Sequence, residues 1–442
     1  MNAVRTLLIL LFALPTGALA NEPEAHTGVS VGGHFLTLLH ARSDSDFDPS
    51  PRYFDPDGQS EGQSATFFQP HLSARPGGGV EVFYEAELGW NVWSRHATGQ
   101  PNSFHTSQSP GLSLRHRQLW AEWRASEHVR VRAGYQNFQD PSRLLLDHQW
   151  GAIRVDLDWE PTQTTLWIGQ LPDSTYEGLD VRSDNFVTDS LFLGAQTAIT
   201  LGELKVDLAL YLIGDHRVID HPLHLGSALA GIRYESDTVQ AWLHALTQVG
   251  TWFGSGAAGV DQSIFTWAVQ AGVRHQVGAF HWSSNVVALS ADDDHDGNDV
   301  LGAFFASGKN NSPSTMLTED EHRDRYDNID ERIGTTFGAF SVNRAGLVVA
   351  DLALGYQVAS WYEPRLVTAA GLTINPANAL DQRFVGLEIS LLNRFPVSEY
   401  ATFYLNAQCL LPGRAAAAFT NDVDRNATQI VYGGQLGFLA SF

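Results

Sequence analysis

The sequence predicts an all-β fold, namely a transmembrane antiparallel β-barrel of eighteen strands. Three observations predict it. The chain ends in an alternating segment with an aromatic last residue, it contains a series of segments of about ten residues with period-two polarity, and long polar loops alternate with tight turns between them. Bacterial barrels place short turns on the periplasmic side and long loops outside, so the order of connections is the strongest of the three.

The carboxyl-terminal segment, residues 429–442, alternates in polarity. One parity is mostly apolar or aromatic and comprises Ile430, Tyr432, Leu436, Phe438, Ala440 and Phe442. The other parity is mostly small or polar, which predicts a strand that faces lipid on one side. The ending on Phe442 also resembles the terminal signal by which bacterial outer-membrane barrels are recognised for assembly. For this segment alone, the alternative is a soluble sandwich that ends in an amphipathic strand.

The amino terminus predicts a cleavable secretory signal over residues 1–20. Arg5 precedes an apolar run at 7–14, and the small-residue triplet 18–20 follows. This run is too short to span a membrane as a helix, and no later segment approaches ~20 consecutive apolar residues. Residues 21–442 are therefore expected to form a single barrel domain, since only a closed barrel could then cross a membrane.

The composition excludes several other classes. The formal net charge of −22 at pH 7 disfavours binding to nucleic acid. The single cysteine, Cys409, excludes an internal disulfide framework. The chain has 24 Phe, 12 Tyr and 12 Trp, yet its mean hydropathy is negative, as a barrel with an apolar outside and a wet inside requires.

The alternating segments place charge on one face. In the third segment Val80, Tyr84 and Leu88 share one face, and Glu81 and Glu85 share the other with Glu87. These carboxylates would destabilise a soluble core, whereas a water-filled lumen accommodates them. The eighteen predicted strands, with sixteen as the alternative count, are 29–40, 65–74, 80–91, 113–124, 129–138, 150–159, 164–171, 190–200, 204–213, 227–235, 239–250, 264–276, 279–291, 335–342, 347–361, 383–392, 401–411 and 429–442.

The inward-facing charges are the candidate functional residues. The cations are Arg75, Arg130, Arg132, Arg154, Lys205, Arg233 and Arg274. The carboxylates are Glu81, Glu85, Glu87, Asp156, Asp158, Asp207, Asp351 and Glu388. Rings of charge set the selectivity of a pore, so we expect these residues to line the lumen and bind the solute. The alternative for each is that it pairs with a neighbour and holds the barrel wall; the mixture of signs argues against strong anion selectivity.

An acidic stretch at 292–299 is a candidate calcium site. Asp292, Asp294 and Asp296 alternate before Gly297, as oxygen ligands do in calcium loops. Ala303 stands where an EF-hand has its bidentate glutamate, so a solvated outer loop is the favoured alternative. No other cofactor is expected. The stretch opens the longest predicted outer loop, near 292–331, and nothing in the sequence predicts a catalytic nucleophile.

Two regions resemble the alginate export family of outer-membrane porins. Residues 117–123 read Arg-Gln-Leu-Trp-Ala-Glu-Trp and are followed by the arginine-bearing stretch 129–136 and by 150–154, a run similar to that family's pattern. Residues 386–391, 411–413 and 288–299 also look like family features. The resemblance implies a monomeric eighteen-stranded barrel with a charged pore that passes an anionic exopolysaccharide outward.

Together these observations predict a passive channel in the bacterial outer membrane, without enzymatic activity. The first interpretation is export of an anionic or other hydrophilic polysaccharide, with surrounding lipid and periplasmic export proteins as partners. One alternative is a general or substrate-selective uptake porin for small hydrophilic solutes. Another is a barrel enzyme or adhesin. The direction of transport does not follow from the residues, because a passive pore works both ways.

Overall fold

The computed structural model describes residues 27–43, 60–89, 113–170, 191–215, 222–254, 260–293, 300–304, 345–416 and 428–442. The predicted secretory signal, 1–20, lies outside these ranges. Among the described residues, no helix is long and apolar enough to cross a membrane.

The described chain is almost entirely β-strand. The strands are β1 Gly28–Ser43, β2 Ser60–Gly77, β3 Val80–Gly89, β4 Ser113–Arg124, β5 Val129–Gln139, β6 Asp147–Trp159, β7 Thr162–Gln170, β8 Leu191–Leu201, β9 Leu204–Asp215, β10 Leu223–Glu235, β11 Val239–Trp252, β12 Gln262–Val277, β13 Phe280–Leu289, β14 Val300–Leu301, β15 Leu347–Tyr356, β16 Glu363–Thr373, β17 Phe384–Ser398, β18 Ala401–Pro412 and β19 Val431–Ser441. A short 3₁₀ helix, Pro376–Ala379, lies between β16 and β17.

The sheet closes on itself. Each long strand pairs antiparallel with its neighbours, and β1 pairs with both β2 and β19. Two backbone hydrogen bonds of 3.1 Å join Gly33 and Phe442 and continue the seam to the last residue. The two-residue strand β14 runs parallel to β12, and β13 pairs directly with β15. The result is a closed barrel of eighteen long strands, as predicted, and the structure adds one short strand that was not predicted.

Within the described ranges, the short turns lie at the rim where β1 begins and β19 ends. Gly202 and Gly278 sit in such turns with φ of 66° and 58°, a left-handed conformation that glycine adopts without strain. Longer connections lie at the opposite rim, which includes the segment between β5 and β6 and the segment after β13. By the convention of bacterial barrels the first rim is periplasmic, and we call the opposite rim outer.

Three predictions about individual strands were wrong, although the predicted number of barrel strands was right. The structure contains a strand that the sequence reading missed, Glu363–Thr373. Residues 347–361 were predicted as one strand, but the strand ends at Tyr356 and turns back. The turn predicted at 395–397 lies at 399–400, because β17 continues to Ser398. The predicted strand 335–342 lies outside the described residues.

Polarity alternates across the wall as period two requires. In β9, Leu208, Leu210 and Leu212 are each about half exposed on the outside, whereas Asp207 and Tyr211 on the inside are buried. The terminal strand follows the same rule, with Tyr432 and Phe442 on the outer face. The outside is therefore an apolar surface suited to lipid, and the inside carries the polar groups.

Candidate functional site

The barrel interior has two parts, and the first is an apolar layer in its outer half. This layer consists of inward-facing side chains that are 0–8% exposed, among them Phe138, Trp150, Trp167, Phe192, Tyr211, Ala209, Leu229, Leu246, Val287, Leu347 and Leu410. The aromatic members contact one another; the Trp150 and Phe192 rings meet edge to face at 4.3 Å between centroids. An inward-facing side chain of a hollow barrel would be wet, so burial of this layer means that the lumen is covered here.

Part of that cover comes from the connection between β5 and β6. Residues 140–146, here called the infolded segment, place Leu144, Leu145 and Leu146 in the apolar layer with exposures of 0%, 7% and 1%. Its backbone closes through the bond from Asp140 N to Leu146 O at 3.0 Å. A connection with three buried leucines stabilises itself by burying them against the barrel interior.

The Asp140 carboxylate organises the infolded segment. Its Oδ1 accepts from Ser142 N at 2.8 Å and from Ser142 Oγ at 2.5 Å. Its Oδ2 accepts from Leu145 N at 3.0 Å and from Leu146 N at 2.6 Å. Burial raises the pKa of this carboxyl, while the donors around it oppose that shift. The four bonds fix the segment as a compact unit rather than an open loop.

The second part of the interior, here called the charged wall, lies nearer the periplasmic rim. On β2 to β4, Arg75 lies 3.3 Å from Glu81, Glu85 accepts from Gln118 Nε2 at 3.1 Å, and Glu87 accepts from Gln69 at 2.8 Å. Glu87 also lies 3.3 Å from Arg117, which the sequence analysis placed in the 117–123 motif but not among the inward charges. The predicted residues here face inward, but they are occupied with one another.

The same pattern continues on β5 and β6. Arg132 donates to Glu122 from Nε at 3.0 Å and from Nη2 at 2.6 Å, and its Cζ lies 3.9 Å from the centre of the Trp120 ring. Arg154 donates from Nε to Asp156 Oδ1 at 2.9 Å. Arg130 faces Asp156 across the strand pair in register, and no ion pair of Arg130 occurs among the described residues.

On β9 and β10 the charges form one network. Arg233 donates to both oxygens of Asp207, at 2.5 Å and 2.8 Å, and to Glu235 at 3.1 Å. Lys205 Nζ donates to Glu235 at 2.6 Å. Asp207 is only 1% exposed, so its charge depends on this guanidinium for compensation.

Arg274 differs from these cations. Its guanidinium lies 5.8 Å from the centre of the Trp242 ring, and among the described residues it has no ion pair. Together with Arg233, Glu235, Trp242 and His244 it lines a cavity of about 170 Å³, and Pro141 of the infolded segment lies on the same cavity. The infolded segment thus reaches across the lumen to β10–β12.

Two further predicted charges, Asp351 and Glu388, are buried carboxylates, whereas Asp158 is only partly buried. Asp351 is 4% exposed and accepts from Asn285 Nδ2 at 3.3 Å. Glu388 is fully buried and accepts from Ser390 Oγ at 2.7 Å. Both face Ala369 of β16 in register, from opposite sides. Their roles as solute contacts stay predictions, as do those of the other charged residues.

The candidate calcium loop is described only at its start. Asp292 is buried, and its Oδ1 accepts from Asp293 N at 3.2 Å and Gly302 N at 3.1 Å. Its backbone carbonyl accepts from Asn375, the N-cap of the 3₁₀ helix, and from Asn378 within that helix. Asp294 and Asp296 lie outside the described residues, so calcium binding stays a prediction.

Sequence reasoning missed the infolded segment and several members of the charged wall. Arg365 was missed because its strand, β16, was not predicted; its Nη2 donates to Ser283 at 2.9 Å. Asp140 and His244 were missed because one lies in a connection and the other is a lone histidine. The run Asp-Pro-Ser-Arg-Leu-Leu-Leu at 140–146 did carry a clue, because three consecutive leucines in a connection need a buried environment.

Solved structures match the chain over nearly its whole length. OccK9 (OpdG) of Pseudomonas aeruginosa matches with a TM-score of 0.57 and 12% identity, covering 94% of this chain and 98% of that one. OccAB3 of Acinetobacter baumannii matches with a TM-score of 0.55 and 11% identity, covering 93% of this chain and 99% of that one. The outer membrane protein opdK of Pseudomonas aeruginosa matches with a TM-score of 0.54 and 11% identity, covering 94% of this chain and 98% of that one. No protein-family model matches the chain, and no curated protein matches it significantly.

The chain is a bacterial outer-membrane β-barrel. The assignment to the alginate export family was wrong, because the similar structures are Occ and Opd proteins. At 9–12% identity the similarity establishes the fold of this outer-membrane barrel and not its solute. The short motifs that suggested the alginate export family belong to strands whose inward charges any barrel of this size can carry.

Proposed function

We propose that this outer-membrane barrel is a passive uptake channel for small hydrophilic solutes. The alternative interpretation of the sequence is thereby favoured over polysaccharide export. The observation that carries the proposal is the covered outer half of the lumen, where inward-facing side chains of the apolar layer are 0–8% exposed. A lumen narrowed in this way suits solutes of a few carbon atoms better than a polymer strand.

The charged wall supports the same conclusion. A conduit for a polyanion needs cations that are available to the polymer, since charged rings act on the permeant species by field and hydrogen bonding. Here Arg75, Arg132, Arg154, Lys205 and Arg233 are each paired with a carboxylate. Their charge is therefore largely compensated, and a mixed wall of this kind favours small polar solutes over a long anionic chain.

The similarity to Occ and Opd structures also supports the uptake interpretation rather than export. It gives no support to periplasmic export partners. A monomeric state and the absence of enzymatic activity stay predictions.

Reconstitution of the purified full-length barrel tests the proposal. Single-channel conductance is recorded in a planar bilayer, and swelling of proteoliposomes is followed with small sugars, amino acids and organic acids. We expect open channels, swelling with at least one class of small solute, and no block when a polyuronate is added to either side.

Two outcomes would overturn the proposal. Block by a polyuronate at low concentration, with polymer flux into vesicles, would restore the export interpretation. Barrels that are folded, as shown by heat-modifiable migration on a gel, but that pass neither ions nor solutes would favour an adhesin or enzyme. Empty liposomes and a heat-denatured sample provide the controls.

A further inference from the structure

The cavity of about 170 Å³ beside the infolded segment has a row of three polar side chains on its wall. Glu235 on β10, Gln240 on β11 and Arg274 on β12 stand opposite one another in register and all line the cavity. Neighbouring strands lie about 4.8 Å apart, so the row spans roughly 10 Å. Pro141 of the infolded segment lies on the same cavity and limits its size. The space therefore suits one small molecule.

An aromatic ring forms the next part of the wall toward the outer rim. Trp242 stands in register with Gly272 of β12. A Cβ on Gly272 would lie 2.2 Å from Trp242 Cζ2 and 2.5 Å from Cε2, so only glycine leaves room for the indole to lean over β12. One ring face thus covers the wall, and the other borders the cavity. The indole N–H is buried without a hydrogen-bond partner among the described residues, which leaves it for a ligand acceptor.

The polar row offers both kinds of hydrogen-bonding group beside this ring. Arg274 only donates, and it has no ion pair within the described ranges. Glu235 only accepts; it takes one bond from Arg233 at 3.1 Å and one from Lys205 at 2.6 Å, and its remaining lone pairs are available. Gln240 is exposed and does both. A ligand that satisfies the whole row must therefore donate as well as accept.

The charges around the cavity balance in the part of the chain that the structure describes. Three cations and three carboxylates lie on the cavity or next to a residue that lines it, namely Arg233, Arg274, Lys205, Glu235, Asp207 and Asp140. A ligand carboxylate only accepts and would be repelled by Glu235, whereas an ammonium only donates and would be repelled by Arg274. A hydroxyl group donates and accepts without charge. The cavity thus favours a neutral polyol.

A sugar in its pyranose form has this chemistry. Its axial C–H groups form an apolar face that packs on an aromatic ring, and its hydroxyls radiate from the ring edge toward polar side chains. Resting on the proposed channel function, we propose that the cavity is a subsite for one neutral monosaccharide. Trp242 packs against the sugar ring, Arg274 donates to its hydroxyls, and Glu235 accepts from them. Binding is weak, because a conducted solute must also leave.

Isothermal titration calorimetry of the purified full-length barrel in detergent tests this proposal without requiring flux. The probes are D-glucose, D-galactose, D-mannose and D-xylose, with D-glucuronate and acetate as anions. We expect at least one neutral sugar to bind with a millimolar Kd and more tightly than either anion. The affinity should fall about tenfold in Trp242→Ala, and less than about threefold in Trp242→Phe, which keeps a ring face. Arg274→Gln should lower it about fivefold through the lost charged donor.

A matched control uses Trp267, which lies on β12 with its side chain 42% exposed on the lipid face. Trp267→Ala should bind the sugar as the wild type does. The proposal is overturned if no neutral sugar binds, if an anion binds more tightly than every sugar, or if the Trp242 and Arg274 variants that migrate as folded barrels keep the wild-type affinity. Failure of the channel function would appear differently, as an absence of conductance and vesicle swelling in a protein that still binds sugar in detergent.

Discussion

The apolar layer and the charged wall occupy equivalent inward-facing positions of the same strands, yet their chemistry is opposite. On β9 the inward residues pass from Lys205 and Asp207 to Ala209 and Tyr211 within a few residues. The layer is dry because the infolded segment and other connections cover it, whereas the wall keeps its charges in compensated pairs. Inward-facing thus describes a direction in a barrel, and the connections decide which inward positions meet water.

The contrast also explains how an apolar layer can be stable inside a barrel. Apolar residues on the inside of a wide barrel would expose their surface to a water-filled lumen, which costs about 25 cal/mol per Å² of apolar area. Burial of Leu144, Leu145 and Leu146 against Trp150, Phe192 and their neighbours removes that cost. The layer and the infolded segment therefore stabilise each other, and removing either should affect both.

The largest expected effect comes from releasing the infolded segment. Asp140→Ala removes all four bonds that the carboxylate accepts. Each bond to a charged group contributes about 1.5–3 kcal/mol, so the segment should lose its compact form while the barrel remains closed. We expect a severalfold rise in single-channel conductance. Asp140→Asn keeps one acceptor oxygen and should give a smaller rise; unchanged conductance in Asp140→Ala would mean that the segment does not limit the pore.

A somewhat smaller effect is expected from the apolar layer itself. Phe192 is 1% exposed and contacts Trp150, Trp167 and Tyr211. Phe192→Ala should lower the free energy of unfolding by about 3–5 kcal/mol, because it leaves a cavity in a packed layer. Phe192→Leu conserves most of the volume and should cost less than about 1.5 kcal/mol. Urea titration in lipid vesicles measures both; equal, small losses would show that the layer is loosely packed.

Most of the fold could be predicted because each strand carries its own period-two pattern. β5, predicted at 129–138, is observed at Val129–Gln139, since the apolar residues Val129, Val131, Ala133 and Tyr135 alternate with Arg130, Arg132 and Gln136. β16 was missed because its inward positions Val367, Ala369 and Gly371 are small or apolar, so its two faces do not differ in polarity. The turn before it, at 357–362, contains no Gly, Pro, Asn or Asp, and the preceding strand was therefore extended through it.

The candidate site could be predicted only in part. Strand parity places Arg233 and Asp207 on the inside, but it does not reveal that they bind each other, because that depends on register between strands. The infolded segment is harder still, since a connection has no period and its position depends on what it covers. The hydrogen bond from Ser142 N to the Asp140 carboxylate is local in sequence. An Asp followed by a Ser two residues later is the one local sequence sign of that bond.

The smallest effect should come from the exposed end of the charged wall. Arg75 is 62% exposed and lies 3.3 Å from Glu81, so Arg75→Gln should cost at most about 1 kcal/mol of stability, as surface ion pairs do. Arg233→Gln should cost about 3–5 kcal/mol, because it leaves the buried Asp207 charge without its guanidinium. Urea titrations of the two variants at low and high salt measure the difference. Only the loss in Arg75→Gln should vanish at high salt, because a buried pair is screened far less than an exposed one.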